Sequence, residues 1–239
     1  MSPLTKKRIT FLAGFLLYFA LLWAMWDTVF IYPVKVFVVL LHEVSHAMAA
    51  MATGGSVERI VLNANQGGAA YTIGGIPFVT LSAGYLGSLL WGVLFVMLGF
   101  SRRLRPRWLI AGLGLSVLLV TVSVVRSPFG LFFGLVFGGA LLASAKYLPQ
   151  RVNRIVLLGL GLTSALYAIL DIKSDILARP ELRSDAAMLA EMTGIPTIFW
   201  GFLWIAIALL VSGWLLRWVA LRMDRFELDP DPPSPSPVS

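Results

Sequence analysis

Three scarcities frame this sequence of 239 residues. Cysteine is missing altogether, which removes disulfides and thiolate metal sites, so any metal must be held by nitrogen and oxygen. Charge is thin, at 13% of residues against 58% hydrophobic. A soluble domain of this size carries nearer ~25% charged residues and cannot hide so much apolar surface. Histidine occurs only at positions 42 and 46. No basic face with interleaved exposed aromatics is present either, which speaks against a nucleic-acid partner.

What is there is apolar sequence in long blocks, of the roughly 18 or more residues that a bilayer core requires. Seven candidate spans fall at roughly 9–26, 33–53, 78–99, 108–125, 128–145, 154–172 and 196–221. The chain reads as an all-α polytopic protein of the cell membrane, with about seven transmembrane helices in one domain over residues 1–226 and the lipid bilayer around it. Lys6-Lys7-Arg8 before an apolar run resembles a signal peptide. That run extends to Trp26, however, and Trp23 and Trp26 stand where small residues would mark a cleavage site, so a retained span is expected.

The net charge of +7 comes from short basic segments between blocks, as at Arg102, Arg103, Arg105 and Arg107, where side chains meet headgroups. Seven spans put the termini on opposite sides. Ten basic residues then face one side and eight the other, too even a division for the positive-inside rule to choose an orientation.

Local signals punctuate the blocks. Gly54-Gly55 reads as a C-cap pair, Ser127-Pro128 as a cap and first turn, and Gly130, Gly134 and Gly138 as a flat face for close helix packing. Residues 56–76 alternate apolar and polar character on either side of Asn65-Gln66-Gly67-Gly68, the pattern of a β-hairpin. Residues 171–194 hold Asp171, Asp175, Glu181, Asp185 and Glu191 among Lys173, Arg179 and Arg183, and read as a polar loop with room for a short surface helix. The Pro/Ser-rich tail, 227–239, is expected to be disordered.

The chemistry concentrates in His42-Glu43-Val44-Ser45-His46. Histidines four apart on a helix project from one face with spacing suited to a single zinc ion, and Glu43 beside them can take a proton from an attacking water and pass it to a leaving amine. His42 lies about nine residues into its helix, near the bilayer midplane at ~1.5 Å per residue. Ionisable groups are costly there and functional by default. Two histidines leave zinc one protein ligand short of the usual three. Asp171, the deeper acid at the end of the sixth span, is the first candidate and Asp175 the alternative; Asp185 and Glu191 read as loop charges.

These residues resemble the site-2 protease group of intramembrane zinc metallopeptidases, in its M50B-like branch. The resemblance runs from about Pro33 to Trp204. It rests on the HExxH segment, Thr53-Gly54-Gly55, the hairpin, Ser82-Ala83-Gly84-Tyr85-Leu86-Gly87, Leu170-Asp171-Ile172-Lys173-Ser174-Asp175 and Ser184-Asp185-Ala186. It implies zinc held by His42, His46 and an aspartate of a later helix, placing Asp171 in that role. It also implies Glu43 as general base and acid, and a membrane protein substrate received as an added strand beside the hairpin, at Ala70 and Tyr71. Ile172 stands where the family's Leu-Asp-Gly motif has glycine, and Tyr85 where its Ala-Gly-Pro motif has proline. Asn63, Asn65 and Gln66 are candidates to line a water path to the site. Two other readings keep the histidines in use. One is a non-hydrolytic scaffold that grips transmembrane partners; the other is a proton or metal transporter, a class that often shows internal repeats, of which the sequence has no trace.

Overall fold

Proline opens several of the helices. Pro33, Pro77, Pro106 and Pro128 each stand in a first turn, where the missing amide hydrogen is not needed and the fixed φ is already helical. The computed structural model of the protein describes residues 3–26, 28–172 and 184–222. In chain order it contains α1 (Pro3–Met25), α2 (Tyr32–Ala52), β1 (Ser56–Leu62), β2 (Gly68–Ile73), α3 (Pro77–Gly99), α4 (Pro106–Val124), α5 (Pro128–Tyr147), α6 (Gln150–Ile172), α7 (Asp185–Thr193) and α8 (Thr197–Arg222).

A helix stands at each of the seven expected spans, but the count of seven crossings is not reproduced. Five helices, α2, α3, α4, α5 and α8, are long and apolar enough to cross a bilayer. The apolar part of α1, Ile9–Met25, is shorter. Helix α6 is not among the five; its first turns carry Gln150, Arg151, Asn153 and Arg154. The chain is a multi-pass membrane protein, mostly helical, with one small antiparallel hairpin. The proline-rich tail falls outside the described residues.

Close packing follows small residues. A Cβ at Gly134 of α5 would collide with Thr121 of α4, and one at Gly138 would meet Leu118 at 2.8 Å, so two bulkier faces could not approach as these do. Phe37 of α2 stacks on Phe95 of α3 and Phe137 of α5, with ring centroids 6.4 and 5.0 Å away, and so ties the HExxH helix into the bundle. The expected caps form. Ser127 accepts from the Gly130 amide at the start of α5, and Gly54, at φ 87°, follows the end of α2.

The hairpin runs alongside α2. Its base is closed by the Ile76 amide donating to the Thr53 hydroxyl, and its turn is tied to the start of α2 by the Tyr32 hydroxyl donating to the Ala64 carbonyl. Ile60 pairs with Ala70 and Leu62 with Gly68. One expectation needs correction. The segment read as a polar loop with a surface helix contains α7, which buries Ala186 and Leu189 against α3 and α8. Its polar sequence disguises a short amphipathic helix whose apolar side turns inward.

Candidate metal centre

Helix α2 is buried on most sides, and it carries His42, Glu43 and His46 into the interior of the bundle at 8%, 5% and 6% exposure. One α-helical turn aligns the two imidazoles, whose ring centroids are 4.7 Å apart. The third group comes from α7. Ser184 caps that helix by accepting from the Ala187 amide, and the cap fixes Asp185 as the first helical residue, facing the histidines. Asp185 Oδ2 lies 2.9 Å from His42 Nε2 and 3.2 Å from His46 Nε2.

The reading of Asp185 as a loop charge is therefore overturned. Asp171 lies in the last turn of α6, but its side chain falls outside the described residues, and so does Asp175. Among the described residues, His42, His46 and Asp185 are the one group of three with donor atoms placed for a common ion, all within 4.8 Å of one another. The signal for Asp185 was present in the sequence. Ser184 before Asp185-Ala186-Ala187-Met188-Leu189 is a helix start followed by apolar residues three apart, which turns the first-turn acid toward whatever the apolar face covers.

The donor set fits zinc. Ligand atoms about 2.0–2.2 Å from a tetrahedral ion lie roughly 3.4 Å from one another, and two nitrogens with one carboxylate oxygen are a usual catalytic set. His46 Nδ1 donates to the Thr80 carbonyl at 2.6 Å, which leaves the Nε2 lone pair for a metal. The His42 ring is held edge-on by Tyr85 and Tyr167, with centroids at 4.9 and 5.9 Å, while its Nδ1 is buried without a hydrogen-bond partner. Helix α3 leaves the centre of the site open. A Cβ on Gly84 would collide with His42 Nε2 and lie 2.6 Å from His46 Nε2, in the space where these nitrogens converge.

Glu43 projects toward β2, with its carboxyl group beside Gly68. Gly68 must lack a side chain, because a Cβ there would lie 2.6 Å from Glu43 Oε1. His42, His46, Asp185 and Glu43 open into a cavity of about 610 Å³ whose lining also includes Asn63, Asn65 and Gln66. Ala70 and Tyr71 line the same cavity as the histidines.

A buried two-histidine, one-carboxylate cluster with a glutamate beside it, inside apolar helices, defines the class: a membrane-embedded protein with the donor set of a metallohydrolase. The family profile described as peptidase M50B-like matches residues 15–215, and the chain belongs to that family. No curated protein and no solved structure matches the chain.

Proposed function

We propose that the protein is an intramembrane zinc metallopeptidase that hydrolyses peptide bonds of membrane-embedded substrates, with His42, His46 and Asp185 as the zinc ligands. The observation that carries this reading is the approach of both Nε2 atoms to one Asp185 oxygen, with Glu43 on the same helix face of α2. Zinc at this position supplies Lewis acidity, polarising a peptide carbonyl and making a water acidic near neutral pH. Glu43 takes the proton of the attacking water and returns it to the departing amine.

A transmembrane helix cannot be cut while its backbone is bonded to itself, so the substrate must unwind locally. The edge of β2, with Ala70 and Tyr71 in the cavity wall, is the docking strand for the extended segment. Asn63, Asn65 and Gln66 give the cavity a polar end, through which water reaches the bond.

The test is purified protein reconstituted with single-pass membrane substrates. Zinc near one per chain and cleavage that disappears in Glu43→Gln support the reading. Cleavage that survives Glu43→Gln at full rate sinks it, and zinc binding with no cleavage of any membrane segment favours the non-hydrolytic scaffold.

A further inference from the structure

Away from the catalytic cavity, a second one of about 340 Å³ lies between α2, α3 and α4, with a wall from α6. Its lining is apolar except for Ser116, and includes Val44, Met48, Trp91, Leu113 and Val117. Met48 and Ser116 are exposed, so the cavity is a groove open to the lipid side of the bundle.

One end of this groove is bounded by Leu98, near the end of α3, and Leu109, in the first turn of α4. The loop between them carries Arg102, Arg103 and Arg105, and Arg107 follows in α4. Several helix ends gather here. The Arg107 amide donates to Gln150 at the start of α6, Asn153 bonds the end of α5, and Phe11, Phe100 and Trp218 pack on Val96 and Leu215. Lys146 and Arg151 belong to the same end, and from Arg59 to Leu170 the chain contains no acidic residue. None of the four arginines from 102 to 107 has an acidic partner among the described residues, and Arg107 Nε is buried without a hydrogen-bond partner.

We propose that this groove is a binding site for an anionic phospholipid, with one acyl chain along Leu98, Leu109, Leu113 and Val117 and its phosphate on the guanidinium groups of Arg102, Arg103 and Arg105. An apolar groove inside the bilayer takes hydrocarbon, and arginines with no acidic partner among the described residues select the headgroup that brings negative charge. The site is separate from the metal centre and does not depend on hydrolysis.

The experiment uses the full chain in lipid nanodiscs with a phosphatidylglycerol whose acyl chain carries a diazirine. Photolysis is expected to label the α4 segment 109–120. Unlabelled phosphatidylglycerol should compete about tenfold better than phosphatidylcholine, and the Arg102→Gln/Arg103→Gln/Arg105→Gln variant should erase that preference. Leu113→Trp fills the groove and should abolish labelling. Ser116→Trp does the same from the exposed rim, should Leu113→Trp fail to fold. Labelling spread evenly over the outward faces, equal competition by phosphatidylcholine, or labelling unchanged by Ser116→Trp overturns the proposal. So does exclusion of the probe by a tightly held protein helix in the groove.

Discussion

The two strands of the hairpin offer their outer edges to different surroundings. Along β1, the Ile60 carbonyl accepts from the Arg126 amide, the Leu62 amide donates to the Ser127 hydroxyl, and that hydroxyl donates back to the Leu62 carbonyl. The α4–α5 connection thus occupies the β1 edge. Along β2 no further strand is present among the described residues. The Asn63 amide bonds the Gly67 carbonyl, so by the antiparallel alternation Gly68 and Ala70 turn their backbone groups away from β1 and toward the cavity. An open strand edge is a liability that proteins ordinarily cover. Here one edge is covered and the other borders the metal donors and Glu43, which is the asymmetry expected if the second edge has work to do.

The largest expected effects separate metal from chemistry at the β2 side. His46→Ala and Asp185→Asn should each strip most of the zinc, read by metal analysis of purified protein. Gly84→Ala should do the same by filling the space between the nitrogens. Glu43→Gln should keep the metal and lose roughly 10²–10⁴ in rate. If Asp171→Asn removes zinc and Asp185→Asn does not, the ligand comes from α6 and the short contacts of Asp185 have another purpose.

How much of this was legible in the sequence divides along physical lines. The HExxH pair, the hairpin and the Ser127 cap are local patterns, fixed by helical and strand periodicity within a few residues. Asp185 is not local, because it reaches His42 only through the folding of α7 onto α3 and α8. Its spacing from the histidines carries no information, and Asp171 had the more conspicuous place at the end of an apolar block. Nor does helix length in the sequence tell which end each helix presents. Phe11 of α1 packs with the ends of α3 and α8, so Lys6-Lys7-Arg8 is close in the chain to a residue that shares an end with Arg102 to Arg107. Seven crossings would put those two groups on opposite sides of the membrane.

A smaller but more specific effect is expected from Ala70→Pro. Proline removes the outward-facing N–H that a substrate strand would use, and it leaves the side chains of His42, His46 and Asp185 unaltered. Cleavage should fall by about 100-fold through lost positioning, with zinc content unchanged. Tyr71→Pro disturbs the pairing with Arg59 instead and should also lose cleavage. A proline in the 228–239 tail is the control. Full cleavage by both hairpin variants at normal zinc loading means that substrate docks elsewhere and the hairpin is a plug.

The smallest effect belongs to the covered edge. Ser127 both caps α5 and holds the Leu62 backbone, so Ser127→Ala removes a cap and leaves the Leu62 amide and carbonyl without their partner. The cap alone costs about 1 kcal/mol, which a shift in thermal or denaturant midpoint can read in detergent or nanodiscs. Cleavage per folded, zinc-loaded molecule should stay at the wild-type level, because the β1 edge is already occupied by the α4–α5 connection. Should Ser127→Ala instead slow cleavage as strongly as Ala70→Pro at equal folding, the two edges are not functionally distinct. The β1 anchor would then have to be counted as part of the docking surface.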